Sequence, residues 1–171
     1  MQNKNVTQKS EKVIIYGDGS ALGNPGPGGY GTVIEFSGEQ ILLKGGEAYT
    51  TNNRMEMTAV TEGLKWVSKN LPEVKTCTVV SDSKLVIETL KSGWKRKKNL
   101  DLWKLLDAQL PHFTKITWEW VKGHAGHKQN TIADRIANGE AERFKKIGGR
   151  RPSIPQQIET TDESSNQESL F

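Results

Sequence analysis

Residues 12–31 read KVIIYGDGSALGNPGPGGYG, and the rest of the fold can be worked out from them. Val13, Ile14, Ile15 and Tyr16 form an apolar run too continuous for a strand with one wet face, so a central, doubly covered strand is predicted. Asp18 follows that run, and the segment GNPGPGG at 23–29 reads as a turn region feeding a second strand around YGTVIEF. Gly38 turns the chain into a third strand, QILLKGGEAY, which gives a three-stranded antiparallel opening.

The period changes at Asn52. Glu56, Ala59, Val60, Gly63, Leu64 and Val67 fall on one stripe at helical spacing, with Glu56 in the first turns facing the sheet. TCTVVSD reads as a buried strand ending at Asp82, SKLVIETL as a short helix, and residues 99–110 as a further helix closed by Pro111 and His112. KITWEWV forms the last strand, and a final helix starts near Gln129 or Asn130 and runs to Lys146 before Gly148 and Gly149. The order of elements predicts an α/β fold (α+β by some schemes), a mixed central sheet covered by helices.

The chain has 171 residues with 34% hydrophobic content, enough for one core and no second domain. Residues 1–11 read as a polar lead-in, 12–147 as the folded domain and 148–171 as a flexible acidic tail. Residues 1–150 hold 23 Lys and Arg against 16 Asp and Glu, whereas 151–171 hold 1 against 4. A basic body around an acidic site points to a polyanionic substrate. The single cysteine, Cys77, cannot form an internal disulfide and reads as a buried small residue. No apolar stretch is long enough for a membrane span and no secretory signal is present, so a soluble, cytoplasmic monomer is expected.

Four acids, Asp18, Glu56, Asp82 and Asp134, stand at strand ends or on helices that one sheet edge can bring together. If the strands carrying Asp18 and Asp82 are adjacent and parallel, both acids emerge where open α/β sheets place their chemistry. Any one of them alone is an ordinary turn or cap residue. Four carboxylates in one small volume would repel and raise one another's pKa unless cations intervened. Oxygen ligands without a cysteine or histidine cluster favour Mg²⁺, with Mn²⁺ as substitute, over zinc. Two such ions about 3.5–4 Å apart activate water and stabilise the leaving oxygen of a phosphodiester. His124, in the Gly-rich loop VKGHAGHKQN, is placed to move protons near neutral pH. His127 and His112 read as solvent-facing.

DGSALGNPGPGGYG, TTNNRMEM, VVSDSK and WVKGHAGHKQNTIAD, in that order, resemble type 1 ribonuclease H, the ribonuclease HI family, over roughly residues 12–147. The resemblance implies a five-stranded mixed sheet, three strands antiparallel and then two parallel. It implies metal-binding acids at Asp18, Glu56, Asp82 and Asp134 and a catalytic loop histidine at His124. The implied activity is two-metal hydrolysis of the RNA strand of RNA–DNA hybrids, leaving 3′-hydroxyl and 5′-phosphate ends. Asn24, Asn52 and Asn53 would read the minor groove, Thr51 would hold a DNA phosphate, and Arg54 belongs to the same motif. A silent hybrid-binding module and another metal-dependent nuclease of this fold remain alternatives.

Two departures stand out against the family pattern. Several relatives carry an extra helix and a basic loop after the helix that follows Asp82. Here SKLVIETLKSGWKRKKNLDLW runs directly into the next helix, with Lys91, Lys95, Arg96, Lys97 and Lys98 around Trp94 as the remnant of that handle. Hybrid binding through these cations is predicted to weaken steeply with salt. Lys84 stands where relatives often have glutamine, and would exchange a groove hydrogen bond for a phosphate contact. The chain ends QESLF, and Gln167, Leu170 and Phe171 resemble a peptide that docks on the bacterial sliding clamp, with Glu168 where leucine is usual. Such a tether would raise local concentration without altering the site.

Overall fold

The computed structural model describes residues 12–147. The predicted lead-in, the acidic tail and the clamp-type residues Gln167, Leu170 and Phe171 lie outside the described residues. The elements are β1 (Ile14–Ala21), β2 (Gly26–Phe36), β3 (Glu39–Thr50), α1 (Asn52–Asn70), β4 (Thr76–Ser81), α2 (Lys84–Ser92), α3 (Leu100–Asp107), a single 3₁₀ turn (Leu110–His112), β5 (Lys115–Trp120) and α4 (Lys128–Ile147). The sheet order is β3-β2-β1-β4-β5. Its first three strands are antiparallel, and β4 and β5 run parallel to β1. This is the ribonuclease H-like fold.

Helix α1 buries Met55, Met57, Ala59, Val60, Leu64 and Val67 against Ile15, Ile34 and Val79. Each large aliphatic side chain in that layer stabilises the fold by about 1.5–3 kcal/mol. Helix α4 covers the other face, with Ala133 packing near Val33 and Leu42. Among the described residues no helix is long and apolar enough to cross a membrane.

Three expectations need correction. Residues 23–29 are not all turn, because β2 begins at Gly26 with a register shift between Gly26 and Gly28. Gly29 in this segment, and Gly31 beyond it, make room for a close helix rather than a bend. A Cβ on Gly29 would lie 2.5 Å from the Glu140 Cβ and 2.6 Å from the Ala137 carbonyl oxygen, and one on Gly31 would lie 2.4 Å from the Ala133 carbonyl oxygen. Bare backbone is what lets α4 lie directly on β2. Asp18, for its part, does not follow the first strand but sits within it, since pairing with β2 continues through Ser20 and Ala21. The helix predicted over 99–110 is also shorter, because Pro111 tightens its end into the 3₁₀ turn.

Candidate metal centre

β1 brings in Asp18, the turn after β4 brings in Asp82, and the first turns of α1 bring in Glu56. One carboxylate oxygen from each of the three lies within 4.8 Å of the others. Parallel pairing of Tyr16 with Val80 sets the register that puts Asp18 and Asp82 at one end of the sheet. Glu56 arrives because α1 starts against β1 at Gly19, where a Cβ would fall 2.2 Å from the Glu56 nitrogen. The Thr51 hydroxyl caps this helix by accepting from the Arg54 N–H at 3.3 Å.

Asp18 is 5% exposed. Burial first, and then the charge of Asp82, push its pKa up to about 8, against the opposing effect of the Gly19 N–H donated to its Oδ1 at 2.7 Å; Asp134 and Glu56 add smaller upward pushes. Burial raises Glu56 to about 7, opposed by a hydrogen bond with the Ser83 hydroxyl and helped by Asp82. Asp82 is raised by burial and by Asp134, and the nearby His124 acts in the opposite direction. Three partly buried carboxylates held above their usual range, all offering hard oxygen, fit a divalent cation.

Proton binding has a consequence for stability in the metal-free protein. The folded pKa values of Asp18 and Glu56 exceed those of the unfolded chain, so their contribution is fully present below about pH 4 and is lost as pH rises through about 7 and 8. Thermal melts in chelator should therefore show stability falling between pH 5 and pH 8.5. Excess Mg²⁺ at pH 8.5 should recover it. A melting temperature independent of pH and of Mg²⁺ over this range would show that the three acids do not share one site.

Asp134, on α4, lies outside the three-acid set, yet its charge acts on Asp18 and Asp82. Its Oδ1 accepts from Asn138 Nδ2 at 3.0 Å, and Asn138 Oδ1 accepts from the Ser20 hydroxyl at 2.7 Å. His124 is exposed on the loop before α4 with φ of 59°. Across that loop a Cβ on Gly123 would meet Asp82 Oδ2 at 2.7 Å.

Asn24 and Asn52 are joined. The Asn24 Oδ1 accepts from the Asn52 N–H at 3.0 Å, and Asn52 Oδ1 accepts from the Ala21 N–H at 2.6 Å. Both side-chain oxygens are thus used inside the protein, while each amide nitrogen keeps its donors. Asn53 is exposed beside them. Arg54 is differently placed: its guanidinium forms a bidentate pair with Asp101 at 2.8 and 3.0 Å and also donates to Asn99.

In the 93–99 segment joining α2 to α3, Trp94, Lys95, Lys97 and Lys98 are exposed, and no handle helix intervenes. Arg96 is not one of the free cations: it pairs with Asp107 at 2.5 Å and stacks 4.6 Å from the Trp103 ring. Lys84 Nζ lies 5.4 Å from the Trp120 ring centre, and Trp120 Nε1 donates to the Asp82 carbonyl at 3.0 Å, so Lys84 sits at the rim of the acidic site. Ser20, Ser83, Trp120 and Asn138 support the site but carried no signal in the sequence, because each contact joins residues that only the fold makes neighbours.

This sheet, with carboxylates gathered from a strand, a turn and a helix, defines the class of metal-dependent nucleases. A model of the RNase H family matches residues 10–142, and the chain belongs to that family. It is 44% identical over 147 residues to a ribonuclease H of Sulfurovum sp. (strain NBC37-1), covering 81% of this chain and 96% of that one. It is 44% identical over 150 residues to a ribonuclease HI of Neisseria meningitidis, covering 79% and 99%. Among solved structures, the N-terminal RNase H domain of a Mycobacterium tuberculosis protein, fused to maltose binding protein, matches with a TM-score of 0.72 at 34% identity, covering 81% and 99%.

Proposed function

We propose that this protein is an endoribonuclease that cuts the RNA strand of RNA–DNA hybrids. The observation that carries the reading is the meeting of Asp18, Glu56 and Asp82 oxygens within 4.8 Å in a chain of the RNase H family. Divalent magnesium, or manganese in its place, supplies Lewis acidity and charge neutralisation when bound there.

Asp18 would hold the centre, with Glu56 and Asp82 on one side and Asp134 on the other. In the reaction a water oxygen bonds to phosphorus, the bond from phosphorus to the 3′ oxygen breaks, and a proton reaches that oxygen. The products are 3′-hydroxyl and 5′-phosphate ends. His124, exposed on its loop, would move the proton between water and product.

Asn24, Asn52 and Asn53 would offer amide donors to the 2′-hydroxyls that distinguish RNA, and Thr51 its hydroxyl to a DNA phosphate. The backbone would be held by Lys84 at the rim and by Lys95, Lys97 and Lys98 beside Trp94. Arg54 and Arg96, tied to Asp101 and Asp107, would shape these surfaces rather than contact the hybrid.

The test compares labelled RNA–DNA, RNA–RNA and DNA–DNA duplexes with Mg²⁺, Mn²⁺ or chelator. Cutting confined to the RNA of the hybrid and abolished by chelator is expected. Preferential cutting of DNA duplexes would assign another nuclease activity, and tight hybrid binding without cutting would assign a silent binding module.

The enzyme is read as a cytoplasmic monomer that also docks on a sliding clamp through Gln167, Leu170 and Phe171, on the strength of the terminal QESLF sequence. Removing residues 167–171 should leave hydrolysis unchanged and abolish clamp binding in a pull-down. Equal clamp capture by the shortened chain would remove the docking role.

A further inference from the structure

Asp134 joins the acidic site from a different element than the other three acids, and its carboxylate is held by a two-step hydrogen-bond chain. Asn138 lies one helical turn beyond Asp134 on α4, on the same helix face. Ser20 lies two residues beyond Asp18 on β1, on the same sheet face. The links are Ser20 Oγ to Asn138 Oδ1 at 2.7 Å and Asn138 Nδ2 to Asp134 Oδ1 at 3.0 Å.

The direction of the chain is fixed by chemistry. An ionised carboxylate only accepts, so the Asn138 amide must turn its nitrogen to Asp134 and its oxygen to Ser20, which makes Ser20 the donor. Rotating the amide by half a turn would set its oxygen against the Asp134 carboxylate and lose that bond, keeping only a donation from Nδ2 to the Ser20 hydroxyl. The chain ties the strand bearing the central acid to the helix bearing the fourth one. With Oδ1 of Asp134 occupied, Oδ2 makes no hydrogen bond among the described residues and is the oxygen left to a cation.

From this geometry we infer that Ser20 and Asn138 are positioning residues that set the Asp134 carboxylate for divalent cation binding. The inference rests on the metal-dependent reading above. Groups that hydrogen-bond metal ligands commonly alter metal affinity by 10–100-fold, and the exposure of this pair points to a smaller effect, roughly 3–10-fold.

The experiment measures free Mn²⁺ by electron paramagnetic resonance during titration of the whole protein, alongside the Mn²⁺ concentration for half-maximal hydrolysis. The variants are Ser20→Ala, Ser20→Thr, Asn138→Ala, the double Ser20→Ala/Asn138→Ala and Asp134→Asn. Asn138→Ala and Ser20→Ala should each raise both values by roughly 3–10-fold, with hydrolysis at saturating Mn²⁺ and the melting temperature close to wild type. Ser20→Thr, which keeps the hydroxyl, should match wild type. The double variant should be no worse than Asn138→Ala, because both changes break one chain.

If Asn138→Ala and Ser20→Ala keep the wild-type Mn²⁺ requirement, or Asp134→Asn does, the positioning role is overturned while the metal reading stands. If the wild-type protein binds no Mn²⁺ and cuts nothing, the metal reading itself fails and the inference fails with it.

Discussion

Asp18→Asn should abolish hydrolysis of the hybrid and, at the same time, make the metal-free protein more stable. Asp18 is the most buried of the four acids and receives upward pKa pressure from all three of the others. Removing its charge takes away the group around which cations would assemble. A bound cation contributes several kcal/mol of transition-state stabilisation, and each 1.4 kcal/mol is tenfold, so turnover should fall on the order of 10³-fold or more.

The same substitution removes the buried charge whose repulsion the metal-free fold must tolerate. Asparagine keeps the shape and can still accept from the Gly19 N–H, so the backbone has no reason to move. In chelator at pH 8.5 the melting temperature should rise by roughly 2–8 °C, and well below the unfolded-state value of 3.8, where Asp18 is protonated in both states, this charge-derived difference should vanish. Added Mg²⁺ should stabilise the wild type and leave the variant nearly unchanged. Near-normal turnover in Asp18→Asn would remove Asp18 from the chemistry, and a lower melting temperature at pH 8.5 would show that its charge is already compensated.

Much of this site is legible in the sequence. The apolar runs before Asp18 and Asp82 required two buried strands, and parallel pairing of β1 with β4 is what brings the two acids together. The helical stripe that starts with Glu56 put that acid on the face of α1 turned to the sheet. What could not be read were contacts whose partners are distant in sequence. Arg54 has the look of a free surface cation until Asp101 is seen against it, 47 residues away. Ser20 and Asn138, separated by 118 residues, have no periodicity or motif to link them. The turn reading of Gly29 fails for a related reason: composition equates glycine with turns, whereas here the missing side chain makes room for α4.

Gly19→Ala is the sharpest test of that last point, because it adds a single methyl group at the contact that places Glu56. Gly19 needs no unusual backbone angle, being an ordinary β1 residue paired with Tyr30. Its requirement is space alone. A Cβ there would sit 2.2 Å from the Glu56 nitrogen, 2.4 Å from the Met55 carbonyl carbon and 2.7 Å from the Met55 Cβ. Two of these are backbone atoms, so no side-chain rotation relieves the clash and the start of α1 must move away from β1. Overpacking of this kind costs about 1–3 kcal/mol, which a melt would read as a fall of several degrees. The functional loss should be larger than the loss of stability. A displacement of about 1 Å at a reacting centre reduces turnover by about 10²-fold, and here the displaced group is one of the three clustered carboxylates. Measured at a temperature where the variant is fully folded, turnover should drop by about that factor, with weaker Mn²⁺ binding. Gly38→Ala, in an open turn with nothing near its added methyl, should lose some stability to its φ of 78° and keep wild-type turnover when folded. Full activity in folded Gly19→Ala would mean that α1 and its Glu56 do not depend on close contact with β1, and that the metal centre is held by something other than this packing.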